Sequence, residues 1–369
     1  MLVQGDAGGC LLYTSHHHAI TVSRSRSLRG PFEQCPHNPV LTHRHLGKYY
    51  PICNVGHGDL VECQDGSWYA VCLGSRLVDG YHKPLGRETF LVPVTWEEGW
   101  PVFSPGTGKV EWSYPAPAFA PPEEEPAPQT PDWNYLGTPY ENFAHWDGDQ
   151  VILDMLPRSL VPWEFEGEHF DFFGHMGRIG KTRSCMPFVG VRLEEAQFTA
   201  EVQVRVTPGN RESAGLALMQ NNANQLRLEV LAGDRGRVQV RAVRVCYRLE
   251  DGNMHYEETV AGELSLPASG VYTLRITGGD NRYDFDASVA GEPPQTVARQ
   301  VDGTHLGSEI AEGFVGAYVG LFATGNGGGV PKSSDILRLF LPEYDLIVPL
   351  KRLADGRLSH EMDQNWKGR

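Results

Sequence analysis

The sequence is short of several things, and each shortage excludes a class. No apolar run approaches the roughly 20 residues of a membrane-crossing helix, so a helical span is absent. Positive charge is scarce: 32 Lys and Arg stand against 46 Asp and Glu, a net charge of −14. Such a surface repels phosphate backbones and anionic headgroups, which excludes wholesale binding of nucleic acid or membrane. The cysteines are Cys10, Cys35, Cys53, Cys63, Cys72, Cys185 and Cys246, an odd number with no Cys-x-x-Cys pair. A zinc site wants close pairs, and a secreted disulfide scaffold wants an even, denser set. Scattered thiols fit a reducing compartment and favour a cytoplasmic over a secreted location. There is no Gly-x-Ser-x-Gly elbow and no His-Glu-x-x-His. The run Gly325-Asn326-Gly327-Gly328-Gly329 lacks a following Lys-Ser/Thr, so it reads as a turn and not a phosphate loop.

What is present points to strands. The chain has 369 residues, enough for two domains. Hydrophobic residues make up 40% and charged residues 21%, an ordinary globular balance. Forty-two glycines, 26 prolines and 10% aromatics favour turns and strands over long helices. The fold class expected is all-β.

Along the chain, residues 1–17 read as an artefact or remnant. Cys10–Ser15 reads as the in-frame translation of a transposase end sequence used in DNA sequencing libraries, an adaptor scar. Residues 18–112 hold short strand-like runs, Ala19–Val22, Trp68–Leu73 and Thr89–Val94, separated by turn signals such as Asp65-Gly66. Residues 113–132 are rich in Pro around Glu123-Glu124-Glu125 and read as a linker. Residues 133–345 resume with cleaner alternation. Phe198 to Val206 places Phe, Ala and Val on one face and Thr, Glu, Gln and Arg on the other. Leu226–Leu231 and Val238–Tyr247 form a hairpin across Gly233–Gly236, and half-buried strands in this number imply a two-sheet sandwich. Residues 346–369 read as a tail.

Two clusters stand out as candidates for chemistry. In Asn54-Val55-Gly56-His57-Gly58-Asp59, the flanking glycines let the backbone bring the His57 imidazole close to a ligand. His57 and Asp59, two apart, share a face on a regular strand. The bland alternative is a histidine bonded to a neighbouring turn. Arg87, before the apolar run Phe90–Val94, offers forked donors to sugar hydroxyls or a carboxylate, or else makes a surface ion pair with Glu88. Tyr49, Tyr50, Tyr81, Trp68, Trp96, Trp100 and Trp112 either stack on sugar rings or fill a small β core. His16, His17, His18 and His57 lack metal-ligand spacing, so no metal is assigned to them.

Three segments together resemble glycoside hydrolase family 43, in its β-xylosidase and α-L-arabinofuranosidase branch. They are His18–Ser25 with Leu28–Glu33, Asn38–Thr42 running on to Gly56–Val61, and Leu85–Phe90. The run Gly313–Gly320 resembles the end of that family's accessory sandwich. The resemblance covers residues 18 to about 345. It implies the C-terminal part of a five-bladed β-propeller followed by a jelly-roll or concanavalin-like β-sandwich. It implies hydrolysis of xylosides or arabinofuranosides of hemicellulose with inversion, by one carboxylate acting on water and another on the leaving oxygen. The partner implied is a xylo- or arabino-oligosaccharide, with a homo-oligomer left open. No organic cofactor is implied, and a structural calcium ion in the propeller is allowed. Carried over, His57 and Arg87 are substrate-binding residues, and Phe314 or Tyr318 closes the pocket from the sandwich. The family's catalytic base, pKa-tuning Asp and general-acid Glu lie ahead of the His18 motif, so the resemblance implies a fragment without them. The competing expectation is a non-catalytic carbohydrate-binding or structural β protein.

Overall fold

A computed structural model describes residues 2–5, 18–115, 133–136, 142–147, 150–157, 159–161, 186–250, 253–311, 313–326, 333–340, 350–352 and 357–360. The chain divides into two compact units. One comprises Met1–Tyr81, Arg87–Gln129 and Asp345–Arg369, the other His82–Gly86 and Thr130–Tyr344.

The first unit is built on a four-stranded antiparallel sheet. Ile52–Glu62, Trp68–Arg76, Glu88–Glu97 and Trp100–Phe103 lie side by side in chain order, as in one propeller blade. Asp65-Gly66 makes the first turn, with Gly66 at φ +81° where an L side chain would be strained. Ile52, Val55, Ala70, Cys72, Phe90, Val92 and Val94 form its core with Ile20, Val22 and Leu41. His43 closes this core from one side. Its Nδ1 lies 2.6 Å from the Ile52 carbonyl oxygen, and its Nε2 accepts the Val110 N–H at 2.8 Å, so the ring sits as a neutral tautomer bridging two loops. Burial lowers its pKa.

Two small sheets complete this unit. Leu2–Gly5 pairs with Thr21–Arg24, which pairs with Glu33–Gln34. Ser113–Pro115 pairs with Arg357–His360, which pairs with Leu350–Arg352. Parts of the expected linker and tail are therefore strands. At three or four residues each they are too short to carry a readable period. The suspected scar at Cys10–Ser15 and residues 116–132 lie outside the described residues.

The second unit is a sandwich of two seven-stranded sheets. In the first sheet Phe198–Arg205 lies between Ser333–Phe340 and Val271–Gly279, all antiparallel. Its burial alternates strictly, with Phe198, Ala200, Val202 and Val204 inside, as the sequence pattern requires. In the second sheet Asn224–Ala232 and Arg237–Glu250 form the expected hairpin, closing at Ala232 and Val238.

The second sheet departs from the half-buried expectation. Ser213–Asn221 and Asn224–Ala232 are buried on both faces. The outer face carries a further apolar layer, in which Leu160, Phe188, Ala217, Met219 and Phe322 pack together. Beside it lies a buried charge network. Glu229 accepts from Arg241 at 2.7 Å and sits 3.7 Å from Arg227, which reaches Glu258 at 3.0 Å. Charges so buried persist only when paired.

Among the described residues of this unit, His305 is the base that burial perturbs most. Its Nε2 lies 3.1 Å from the Gln225 carbonyl oxygen, and among the described residues Nδ1 has no hydrogen-bond partner. Burial, with the Arg244 cation adding to it, lowers its pKa from 6.5 to about 4. The folded state therefore holds the ring neutral. The stability this gives is complete above pH 6.5 and is lost as pH falls toward 4, by about 3 kcal/mol in all. A series of urea midpoints across that window is expected to fall steeply. His305→Gln should flatten the slope but not abolish it, because His43 titrates in the same sense. An unchanged slope contradicts this assignment.

Candidate functional site

His57 lies in the four-stranded sheet of the first unit, and Arg87 stands directly before its third strand. Ile52 pairs with Arg76, Gly56 with Leu73 and Gly58 with Cys72. Gly74 pairs with Glu88, so Arg87 immediately precedes the third strand. The Ile52–Arg76 pair and Arg87 thus mark one end of the sheet, and His57 lies further along its first strand.

That first strand is not regular. The register slips between Cys53 and Gly56 and again between Gly56 and Gly58. The two bulges put Asn54 at φ 58° and His57 at φ 48°. A bulge leaves one residue outside the ladder and re-aims its side chain. His57 is that residue in the second bulge and is exposed. Asp59 is exposed as well, with Gly58 buried between the two.

The flanking glycines have a cause that the motif alone does not reveal. A Cβ on Gly56 would come within 2.9 Å of His18 Nδ1, and one on Gly58 within 2.7 Å of Ile20 Cδ1. They admit the segment His18–Ile20. His18 is held there: its carbonyl accepts the Thr42 hydroxyl at 2.7 Å, and its Nδ1 lies 3.3 Å from the Asn54 carbonyl oxygen.

Glu88 pairs with Arg76, across the turn. The Arg76 Nε–H donates to both Glu88 oxygens at 2.9 and 3.0 Å, and an Nη2–H donates at 2.7 Å. Both side chains are nearly buried, at 12% and 10% exposure. The pair fixes the start of the third strand and with it the backbone of Arg87. Arg76 escaped the sequence reading, because its partner stands beyond a loop that follows no simple turn pattern.

The residues between Tyr81 and Arg87 belong to the second unit. Lys83 N–H donates to the Glu309 carboxylate at 3.1 Å, and the Lys83 carbonyl accepts from Ser308 N–H at 3.2 Å. The Pro84 carbonyl accepts from Ala317 N–H at 2.8 Å, and the Leu85 carbonyl accepts from an Arg192 Nη2–H at 2.8 Å. Gly86, at φ +68°, lies against the backbone of Val315 and Gly316. Burial raises the pKa of Glu309.

Phe314 and Tyr318 stand in this second unit. Phe314 is 52% exposed. Its neighbours are held by the Ala317–Pro84 bond and by Gln220, whose Nε2–H donates to the Val315 carbonyl at 2.6 Å. Tyr318 opens the strand Tyr318–Thr324 and packs, half-buried, against the outer apolar layer of the second sheet. Of the two, Phe314 has the exposure a contact residue needs.

Cys35, Cys53, Cys63, Cys72 and Cys246 form no disulfide among the described residues, and burial pushes Cys72 up to about 12. Among the described residues no three His, Cys, Asp or Glu side chains gather as metal ligands. His16 and His17 lie outside the described residues.

Comparison with known proteins matches both parts of the chain. Residues 11–101 match the model of glycosyl hydrolases family 43, and residues 170–336 match that of the β-xylosidase C-terminal concanavalin A-like domain. A xylosidase/arabinosidase of Butyrivibrio fibrisolvens is 32% identical over 342 residues, covering 90% of this chain and 59% of the relative. A non-reducing end α-L-arabinofuranosidase of Bacteroides ovatus is 31% identical over 325 residues, covering 85% and 56%. Among solved structures, a xylan β-1,4-xylosidase from Bacillus halodurans superposes with a TM-score of 0.73 at 25% identity, covering 92% of this chain and 62% of that one. The chain thus spans less than two thirds of the length of these relatives. Both the first-unit motifs and the sandwich that follows them find the same kin, and the chain belongs to glycosyl hydrolases family 43.

Proposed function

We propose that this chain is part of a glycosidase that removes xylosyl or arabinofuranosyl units from hemicellulose with inversion at the anomeric carbon. The observation that carries this reading is the identity to a xylosidase/arabinosidase over 342 residues, which spans both units. His57 and Arg87 contact the sugar from the four-stranded sheet. Arg87 suits this role because a planar guanidinium with a fixed backbone presents two donors to vicinal hydroxyls.

An inverting reaction needs a general acid and a general base about 6.5–9.5 Å apart, with water between base and sugar. The described carboxylates do not offer that pair. Glu88 is tied to Arg76, and Glu229 stands between Arg227 and Arg241. Glu309 has the raised pKa of a general acid, but both its oxygens face the Lys83 N–H, at 3.4 and 3.1 Å. Asp59 and Glu62 are exposed along the first strand. We therefore assign the carboxylate pair to the part of the relatives' length that this chain does not span. The 369-residue chain is expected to release no nitrophenol above background from 4-nitrophenyl β-D-xylopyranoside or α-L-arabinofuranoside. Steady turnover of either aryl glycoside by the purified chain overturns that assignment.

A further inference from the structure

We propose that Tyr49 and Tyr81 form a stacking platform for a pyranose ring of an oligosaccharide, a subsite beyond His57 and Arg87 that rests on the glycosidase reading above. The two phenol rings face each other across the end of the four-stranded sheet. Their centroids are 6.4 Å apart and the planes are inclined at 50°, an open V. Tyr49 is 63% exposed and Tyr81 47%.

The contrast with Tyr50 shows that this exposure is specific. Tyr50 turns inward, edge-on to His43 at 5.2 Å, and packs on the core of the sheet. Its neighbour Tyr49 turns out. An aromatic that serves only to fill space gains by burial, whereas two adjoining exposed rings present an apolar surface that needs a partner.

Both rings stand on braced backbone. Leu77 N–H donates to the Pro51 carbonyl at 2.8 Å, just past the Ile52–Arg76 pair that ends the ladder. Tyr50 N–H donates to the Gly47 carbonyl at 3.2 Å. Tyr81 N–H reaches Asp79 Oδ1 at 3.2 Å, in a turn pinned by buried Val78. A preformed surface of this kind loses little entropy on binding.

The chemistry fits a sugar ring. The axial C–H face of a pyranose is apolar and slightly positive, and the face of a phenol carries the complementary negative charge. The Lys48 ammonium lies over one face of the Tyr49 ring, 4.7 Å from its centroid, so the sugar takes the other face or displaces the ammonium toward its own hydroxyls. Arg87 directly precedes the third strand at this same end of the sheet.

The test is calorimetric titration of xylotriose, cellotriose and maltotriose into the 369-residue chain and its Tyr49→Ala, Tyr81→Ala and Tyr49→Phe variants. Xylotriose affinity should fall about tenfold in each alanine variant and stay within about twofold in Tyr49→Phe, which keeps the ring. Thermal midpoints should be unchanged, because both rings are at the surface. Xylotriose binding that is indifferent to both alanine changes overturns the platform and leaves the glycosidase reading intact. Tyrosine-dependent binding of cellotriose or maltotriose without xylotriose supports the platform and overturns the xylan preference. Failure of all three sugars to bind overturns the platform.

Discussion

Replacing Glu88 with alanine is expected to cost the first unit about 3–5 kcal/mol, the largest single effect in that unit. The reason is the state in which Arg76 is left. Three short N–H···O contacts join the guanidinium to the carboxylate, and both side chains are nearly buried. Removing the carboxylate takes these charge-assisted contacts from a nearly buried cation that cannot lose its proton. Glu88→Gln keeps the shape and one acceptor, so a smaller loss is expected. Exposed pairs are worth only about 0–1 kcal/mol, and Arg24–Glu33, at 36% and 64% exposure, serves as the control. Equilibrium urea unfolding separates the cases: a Glu88→Ala loss as small as that of Glu33→Ala contradicts the assignment. Arg87 follows directly from this pair, so Glu88→Ala should also weaken any sugar contact made through Arg87.

A second large loss, about 3 kcal/mol, is expected from Gly86→Ala. Two costs combine there. Gly86 lies at φ +68°, where an L side chain costs roughly 1–2 kcal/mol. Its Cβ would also fall on the backbone of Val315 and Gly316, and a displaced backbone costs roughly 1–3 kcal/mol more. Gly80 isolates the first cost, being at φ +80° with nothing within 4 Å. Gly80→Ala should therefore lose only about 1 kcal/mol. Gly316→Ala meets the Leu85 carbonyl from the other side but has no positive φ, so it should lose only the second cost, about 1–3 kcal/mol. Equal thermal midpoints for the Gly86 and Gly80 variants would show that His82–Gly86 is not seated in the second unit as described.

Much of the sandwich was legible because its strands alternate. Phe198–Arg205 buries every second residue, and the Gly233–Gly236 turn divides two alternating runs. Ser213–Asn221 does not alternate, and its Ala-Gly-Leu-Ala-Leu-Met run is what a strand covered on both faces requires. The part of the site that was legible consists of its motifs, His57 and Arg87. What makes them a site was not. Gly56 and Gly58 owe their identity to His18–Ile20, more than 35 residues earlier. Glu88 looks like the partner of adjacent Arg87, but strand geometry sends neighbouring side chains to opposite faces and gives Glu88 to Arg76. Gly86 reads as a turn residue, yet its neighbours are Val315 and Gly316. Local periodicity carries no record of contacts made across such separations.

The measurement that tests the family reading most directly is a titration of xylobiose into the 369-residue chain and its Arg87→Ala variant, followed by calorimetry at low salt. Binding asks only for the sugar-contacting residues and is independent of where the catalytic carboxylates reside. Saturable binding that Arg87→Ala weakens by about tenfold or more is the expected result. No binding, or binding that is the same with and without the Arg87 guanidinium, contradicts a sugar site at this end of the four-stranded sheet.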